Sequence, residues 1–288
     1  MDSFGILYAL LAVVGWGVGD FLIQRSTRKV GDWEALFFIT FFATVVLFPF
    51  VYKDFQLLSA LDWLLLIGTS VVILVAALLD FEALRVGKIA VIQPVYAIEV
   101  PITIALATLV IGEHLSRMQI VLVMILLVGV FLISTKKFAH IRFTTLERGV
   151  LVALLAATGM GASNFLYGLT SRTAGPLIIN WFSSAFMACA TLVYLLWTAR
   201  GKDIVVSWRK NKLLILSVGF FDIVAWVGYS VSTLSLPIGL VTGLTESYIV
   251  VSAVLGIYLN KERLLWHQKM GLAIAVCAAL LLAYSAMG

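Results

Sequence analysis

Charge is the first scarcity in this sequence. Asp, Glu, Lys and Arg make up 12% of its 288 residues and hydrophobic residues 62%, where a soluble globular domain has about 25% charged. Too little polar surface exists to cover such a chain in water, so an ordinary soluble globule is excluded and a bilayer must supply the missing solvent. Cysteine is nearly absent. Cys189 and Cys277 stand alone in apolar runs with no CxxC or paired spacing, which supports neither a disulfide framework nor a metal site. The three histidines, His114, His140 and His267, fall in connections too scattered for a metal constellation. No GxSxG, HExxH or P-loop occurs, and GWGVG at 15–19 is a GxGxG inside an apolar run, not a GxGxxG after a strand. The chain therefore carries no ATPase and no expected metal or cofactor; uphill work would have to draw on an ion gradient. A net charge of +5 does not point to nucleic acid, because the basic residues sit at the ends of apolar runs and form no single patch.

What is present is long apolar sequence. Ten segments approach the roughly 20 residues that cross a hydrocarbon core, at about 4–24, 33–52, 62–83, 89–111, 118–135, 147–170, 176–198, 212–233, 238–259 and 268–286. The first has no basic leader and no small-residue cleavage site, and reads as a retained helix. The expected fold is all-α and integral to the membrane, with short connections throughout.

The segments repeat. GWGVGDFL at 15–22 aligns with GMGASNFL at 159–166, and at the same offset of 144 Arg28 and Gly31 meet Arg172 and Gly175. Near the ends of the halves, at an offset of 149, Glu113, Leu115 and Gln119 meet Glu262, Leu264 and Gln268. Two five-helix units follow, 1–138 and 139–288. An odd number of crossings per unit inverts the second relative to the first. Of the 20 Lys and Arg, 17 fall in odd-numbered loops and only Lys53, Arg117 and Arg172 in even-numbered ones. The positive-inside rule then makes the odd loops cytoplasmic and places both termini outside.

Intramembrane acids are costly, about 2.5–3.5 kcal/mol at the bilayer centre, and should face protein or water. They are Asp20, Asp80, Glu82, Glu99, Asp222 and Glu246, with Asn164 at the repeat position of Asp20. Helices 1, 3, 4, 6, 8 and 9 are thus expected to line a central cavity, with 5 and 10 as outer walls. Glu99 and Asp222 lie nearest the middle of their helices. Tyr96, three residues before Glu99, and Trp226, four after Asp222, share a face with each acid, a pairing that suits an organic cation through charge and cation–π attraction. The alternative is an acid that keeps its proton and only bonds a neighbouring helix. Glu246 lies among Thr242, Thr245 and Ser247, hydroxyls that serve equally as substrate ligands or interhelix bonds. Glu82 has Arg85 three residues on, the spacing of a local ion pair. Pro94 and Pro101 withhold backbone donors on either side of Glu99, so helix 4 is expected to be kinked or open there.

The run EALRVGKIAVIQPVYAIEVPITIALATLVIGEHLS, with its short turn, mid-helix proline and terminal Gly-Glu, resembles the EamA branch of the drug/metabolite transporter superfamily, and the resemblance covers essentially the whole chain. It departs in the second unit, where Asn260-Lys261-Glu262 replaces Gly-Glu and no proline matches Pro94. The resemblance implies an inverted-repeat carrier that moves small metabolites, amino acids or drugs by alternating access. It also implies cytoplasmic termini, against the charge count. The motif acids Glu113 and Glu262 are expected to cap or pin turns. Together these readings give a secondary transporter of the cell membrane, exporting a cationic or zwitterionic amine or amino acid in exchange for protons. Its partners would be a small-molecule substrate, the lipid bilayer, protons and a second copy of the chain. An uncoupled exchanger, a lipid-intermediate flippase, a channel and a membrane-embedded enzyme are the alternatives, the last without a visible nucleophile.

Overall fold

A computed structural model describes residues 3–86, 95–96, 98–134, 148–248, 251, 255 and 265–285. Among them lie ten α-helices and one 3-10 turn (Asp54–Leu57), and no strand. The helices are α1 (Ser3–Val30), α2 (Asp32–Val51), α3 (Ala60–Val86), α4 (Glu99–Ile111), α5 (Arg117–Ser134), α6 (Arg148–Thr173), α7 (Pro176–Trp197), α8 (Gly201–Ser232), α9 (Ile238–Thr245) and α10 (Trp266–Ser285). Helix is what such apolar runs must form in lipid, where every backbone N–H and C=O has to be satisfied within its own segment. Six of them, α1, α2, α3, α6, α7 and α8, are long and apolar enough to cross a membrane.

Two boundaries differ from the sequence reading. α8 begins at Gly201, well before the expected 212, and has a non-helical Asn211 (φ −127°, ψ 19°) inside it. At 1.5 Å per residue its 32 residues would reach about 48 Å, too long for a core of about 30 Å. The break separates a stretch in which exposed Lys202, Arg209 and Lys210 stand beside exposed Val205, Val206 and Trp208, the composition of a helix lying at a membrane surface. Along helix 4 Val95 and Tyr96 are helical, Ile98 is a turn, and α4 begins at Glu99. Pro101 consequently occupies the first turn of α4, where a missing N–H leaves no intrahelical bond unmade. It does not kink the interior of that helix. Pro94 lies outside the described residues.

The principal packing partners cross between the halves: α1 against α8, α6 against α3, α2 against α7 and α5 against α10. Repeat-related contacts build them. A Cβ on Gly15 would fall 2.8 Å from the Ala225 Cβ, and one on Gly159 2.9 Å from the Ala76 Cβ. Gly15 and Gly159 are related by the offset of 144, Ala76 and Ala225 by that of 149. Likewise a Cβ on Gly17 would approach Tyr248 O at 3.1 Å and one on Gly161 would approach Glu99 O at 2.9 Å, again a pair at 149. Both α2 and α7 start behind a glycine in the left-handed region, Gly31 at φ 99° and Gly175 at φ 102°, a conformation that L side chains resist. α2 and α7 run antiparallel. Trp33 stacks on Tyr194 with centroids 3.6 Å apart at one end, and Trp181 Nε1 donates to Thr44 O at 3.0 Å at the other.

Ion pairs tie both ends of the bundle. At the α2 start, Arg85 bonds Asp32 at 2.8 Å as well as Glu82, and Arg200 holds the fully buried Glu34 at 2.7 Å. At the opposite end Arg172 reaches Glu113 Oε1 at 2.5 Å, Thr233 O at 2.7 Å and Leu236 O at 2.8 Å. Glu113 Oε2 accepts from the Ile238 N–H at 2.8 Å. The motif acid therefore pins the turn between α8 and α9 and caps α9, whose first N–H groups have no partner of their own. Its counterpart Glu262 lies outside the described residues.

Candidate functional site

Between the halves lies a cavity of about 90 Å³. Its walls come from α1, α2, α3, α6, α7 and α8, each through residues spaced three, four or seven apart, one face of a helix. Trp16, Asp20 and Ile23 face it from α1, Ile73, Ala77 and Asp80 from α3, and Asp222 and Trp226 from α8. Six helices line it, as expected, but not the same six: α2 and α7 enter through Thr40, Asn180 and Ser184, while α4 and α9 contribute no described lining residue.

Three of the candidate acids, Asp20, Asp80 and Asp222, thus share one space, and Trp226 joins them. The aromatic wall is a connected cluster. Trp16 meets Trp226 edge-on at 5.2 Å, Tyr167 lies 4.5 Å from Trp226, and Trp16 also touches Tyr229 at 5.6 Å and Tyr248 at 6.3 Å. Such rings present negative faces to a cation.

Glu99 and Glu246 are not among the described residues that line the cavity. Glu99 accepts from Asn164 Nδ2 at 3.3 Å. Glu246 is 4% exposed and its Oε2 has no hydrogen-bond partner among the described residues. The four acids Asp20, Asp80, Glu99 and Glu246 are electrostatic neighbours: Glu99 feels the other three, and Glu246 feels Asp20. Tyr96 sits against the carboxyl of Asp80 and Tyr248 against that of Asp20. Tyr96 also lies within electrostatic reach of Glu99, the acid its sequence spacing suggests. Asn164, 5% exposed, is anchored twice, through its side chain to Glu99 and through its carbonyl, which accepts from the Tyr229 hydroxyl at 2.9 Å. Among the described residues no group of three or more His, Cys, Asp or Glu could hold a metal ion.

Sequence reasoning missed Trp16, Thr40, Tyr167, Asn180 and Ser184. The usable signal was Asn180, a neutral amide inside the apolar run LIINWF; a census of charges alone passes over it.

A solved crystal structure of another protein superposes on the chain with a TM-score of 0.74, covering 99% of each at 14% identity, a likeness of fold alone. The uncharacterized protein MJ1333.1 of Methanocaldococcus jannaschii is 26% identical over 136 residues, which make up 98% of that protein and 46% of this chain. It has the length of a single half. The model of the EamA-like transporter family matches twice, over residues 3–135 and again over 147–284. With both halves matched, the chain belongs to the EamA-like transporter family and is a multi-pass membrane protein that transports small solutes.

Proposed function

We propose that the protein is a proton-coupled secondary transporter that exports a cationic or zwitterionic organic amine across the plasma membrane by alternating access. The observation that carries this reading is the convergence of Asp20, Asp80 and Asp222 with the Trp16, Tyr167 and Trp226 rings on one cavity between the halves. Carboxylates beside aromatic faces attract an organic cation by charge and by the ring quadrupoles. The neighbouring acids share the protons they bind, so a cation entering the cavity displaces protons, and protons entering from the other side displace the cation. Competition of this kind is antiport.

The two units, 1–138 and 139–288, would each cross five times and stand inverted, giving ten spans. The antiparallel contact of α2 with α7 supports this. These helices hold the same place in the two units, and a twofold axis that exchanges antiparallel partners runs across them, in the membrane plane. Inverted repeats with a midplane site are the architecture of rocking carriers. The ion pairs of Arg85 and Arg200 at one end and of Arg172 at the other then stand on opposite faces. Loop charge puts the Arg85 end in the cytoplasm and both termini outside.

The test is uptake into proteoliposomes of labelled cationic and zwitterionic amines, with and without a pH gradient. Saturable flux, counterflow and acceleration by the gradient are expected. Glu99→Gln should keep counterflow and lose the response to the gradient, since the amide still gives Asn164 an acceptor. Non-saturating flux identifies a channel, and wild-type flux indifferent to the gradient identifies an uncoupled exchanger.

A further inference from the structure

We propose that the transported solute is a small protonated alkylamine that carries no carboxylate. The proposal rests on the transport reading above and narrows its substrate class, separating amines from amino acids.

It follows from where the hydrogens of the cavity's polar groups go. Thr40 donates its hydroxyl hydrogen to Leu36 O at 2.7 Å, so its Oγ1 offers lone pairs alone. Asn180, 3% exposed, directs its Nδ2 to Pro176 O at 2.7 Å, Ser230 Oγ at 2.8 Å and Trp226 O at 3.5 Å. Two of those partners are carbonyls, which only accept, so the amide can be oriented in one way. Its Oδ1 is the acceptor left over, and it takes no hydrogen bond from the described residues. Ser183 gives its hydrogen to Ile179 O at 2.7 Å. The Tyr167 hydroxyl, paired with Ser183 Oγ, must then be the donor of that bond, and its proton is committed as well.

The polar lining is therefore made of acceptors. Three carboxyls stand on the α1, α3 and α8 walls, and the Thr40 and Asn180 oxygens face from α2 and α7. None of the described lining residues is Lys, Arg or His. With the three carboxyls ionised, the state that receives a cation, the donors that remain are the Ser184 hydroxyl and the indole N–H groups of Trp16 and Trp226. A primary ammonium brings a positive charge and three donors, and meets partners on both sides of the space. A carboxylate brings negative charge and acceptors alone, beside three acids, and burying a charge without partners is costly. An amino acid and the amine left by removing its carboxyl group are thus opposite cases for this site.

The experiment uses the full chain, purified and reconstituted in proteoliposomes, with labelled cadaverine and two matched pairs of competitors: cadaverine against lysine, and histamine against histidine. Each amine should compete at a concentration about 100-fold or more below that of its amino acid, because a site rejects a group it cannot pair. Asp222→Asn should lower the apparent affinity for cadaverine about tenfold or more while the unliganded protein keeps its melting temperature. If lysine or histidine matches or outcompetes its amine, the substrate class assigned here is wrong, while saturable flux keeps the transport reading intact. If a neutral solute is carried and no amine competes with it, the amine proposal and the carboxylates' role in cation recognition both fall. Absence of saturable flux for every solute overturns the transport reading, and the proposal with it.

Discussion

Glu113 offers the sharpest energetic test of the packing. Its carboxylate makes two bonds, accepting from Arg172 Nη1 at 2.5 Å and from the Ile238 N–H at 2.8 Å, and the two side chains are 18% and 29% exposed, little enough that solvent screens the pair weakly. Hydrogen bonds to charged groups contribute about 1.5–3 kcal/mol each. Glu113→Ala removes both and should cost about 3–6 kcal/mol. Arg172→Ala removes the same ion pair together with the bonds to Thr233 O and Leu236 O, three bonds in place of two, and should cost more. The pair is lost once in the double variant but counted in each single one, so the double-mutant cycle should return a coupling of about 1.5–3 kcal/mol. Glu113→Gln can still accept from Ile238 N–H while losing the charge, and should fall between wild type and Glu113→Ala. Equilibrium unfolding of the purified variants in mixed micelles reads all four quantities. Additivity within about 0.5 kcal/mol would show that Arg172 and Glu113 do not hold one another, and that the α8–α9 turn is kept by something else.

Gly15→Ala drives a Cβ to within 2.7 Å of the Ala225 backbone nitrogen, and overpacking of this kind should destabilise by about 1–3 kcal/mol; Gly68→Ala, with nothing within 4 Å, is the control that should be neutral or slightly stabilising in the same unfolding assay. Gly175→Ala should cost the backbone strain of a positive φ with extended ψ, about 1–3 kcal/mol. Gly31→Ala should cost more, because its Cβ also meets Glu34 Oε2 at 2.6 Å and disturbs the Arg200 pair; equal costs would count against that contact.

The features legible in the sequence were those that repeat or that carry charge. The offsets of 144 and 149 reappear as physical contacts, Gly15 on Ala225 and Gly159 on Ala76, because small residues matched in sequence are matched in what they let approach. Asp20, Asp80 and Asp222 could be picked out because a carboxyl in an apolar run demands an explanation. The α2 and α7 walls could not be picked out that way. Thr40 and Asn180 are neutral, and which face of an apolar helix meets a cavity is decided by helices more than a hundred residues away. The start of α8 was hidden for another reason. Hydropathy falls where Lys202, Arg209 and Lys210 begin, whereas the backbone bonds that define a helix continue through them. Pro101 was read correctly as a residue without a donor, but its place in a first turn depends on where α4 begins, and hydropathy does not record that.

The crossing of partners between halves has a consequence during synthesis. About 170 residues separate the end of α1 from the start of α8, which at about 5–20 residues per second amounts to about 10–35 s of translation. For that interval the glycine face of α1 is in the membrane without the helix that fills it, exposed to lipid and to any other nascent chain nearby. Pairing between the halves starts only with the second half and proceeds in steps, α3 with α6, α2 with α7, α1 with α8 and last α5 with α10. Truncation before α6 should leave a set of helices that insert but lack every one of these partners.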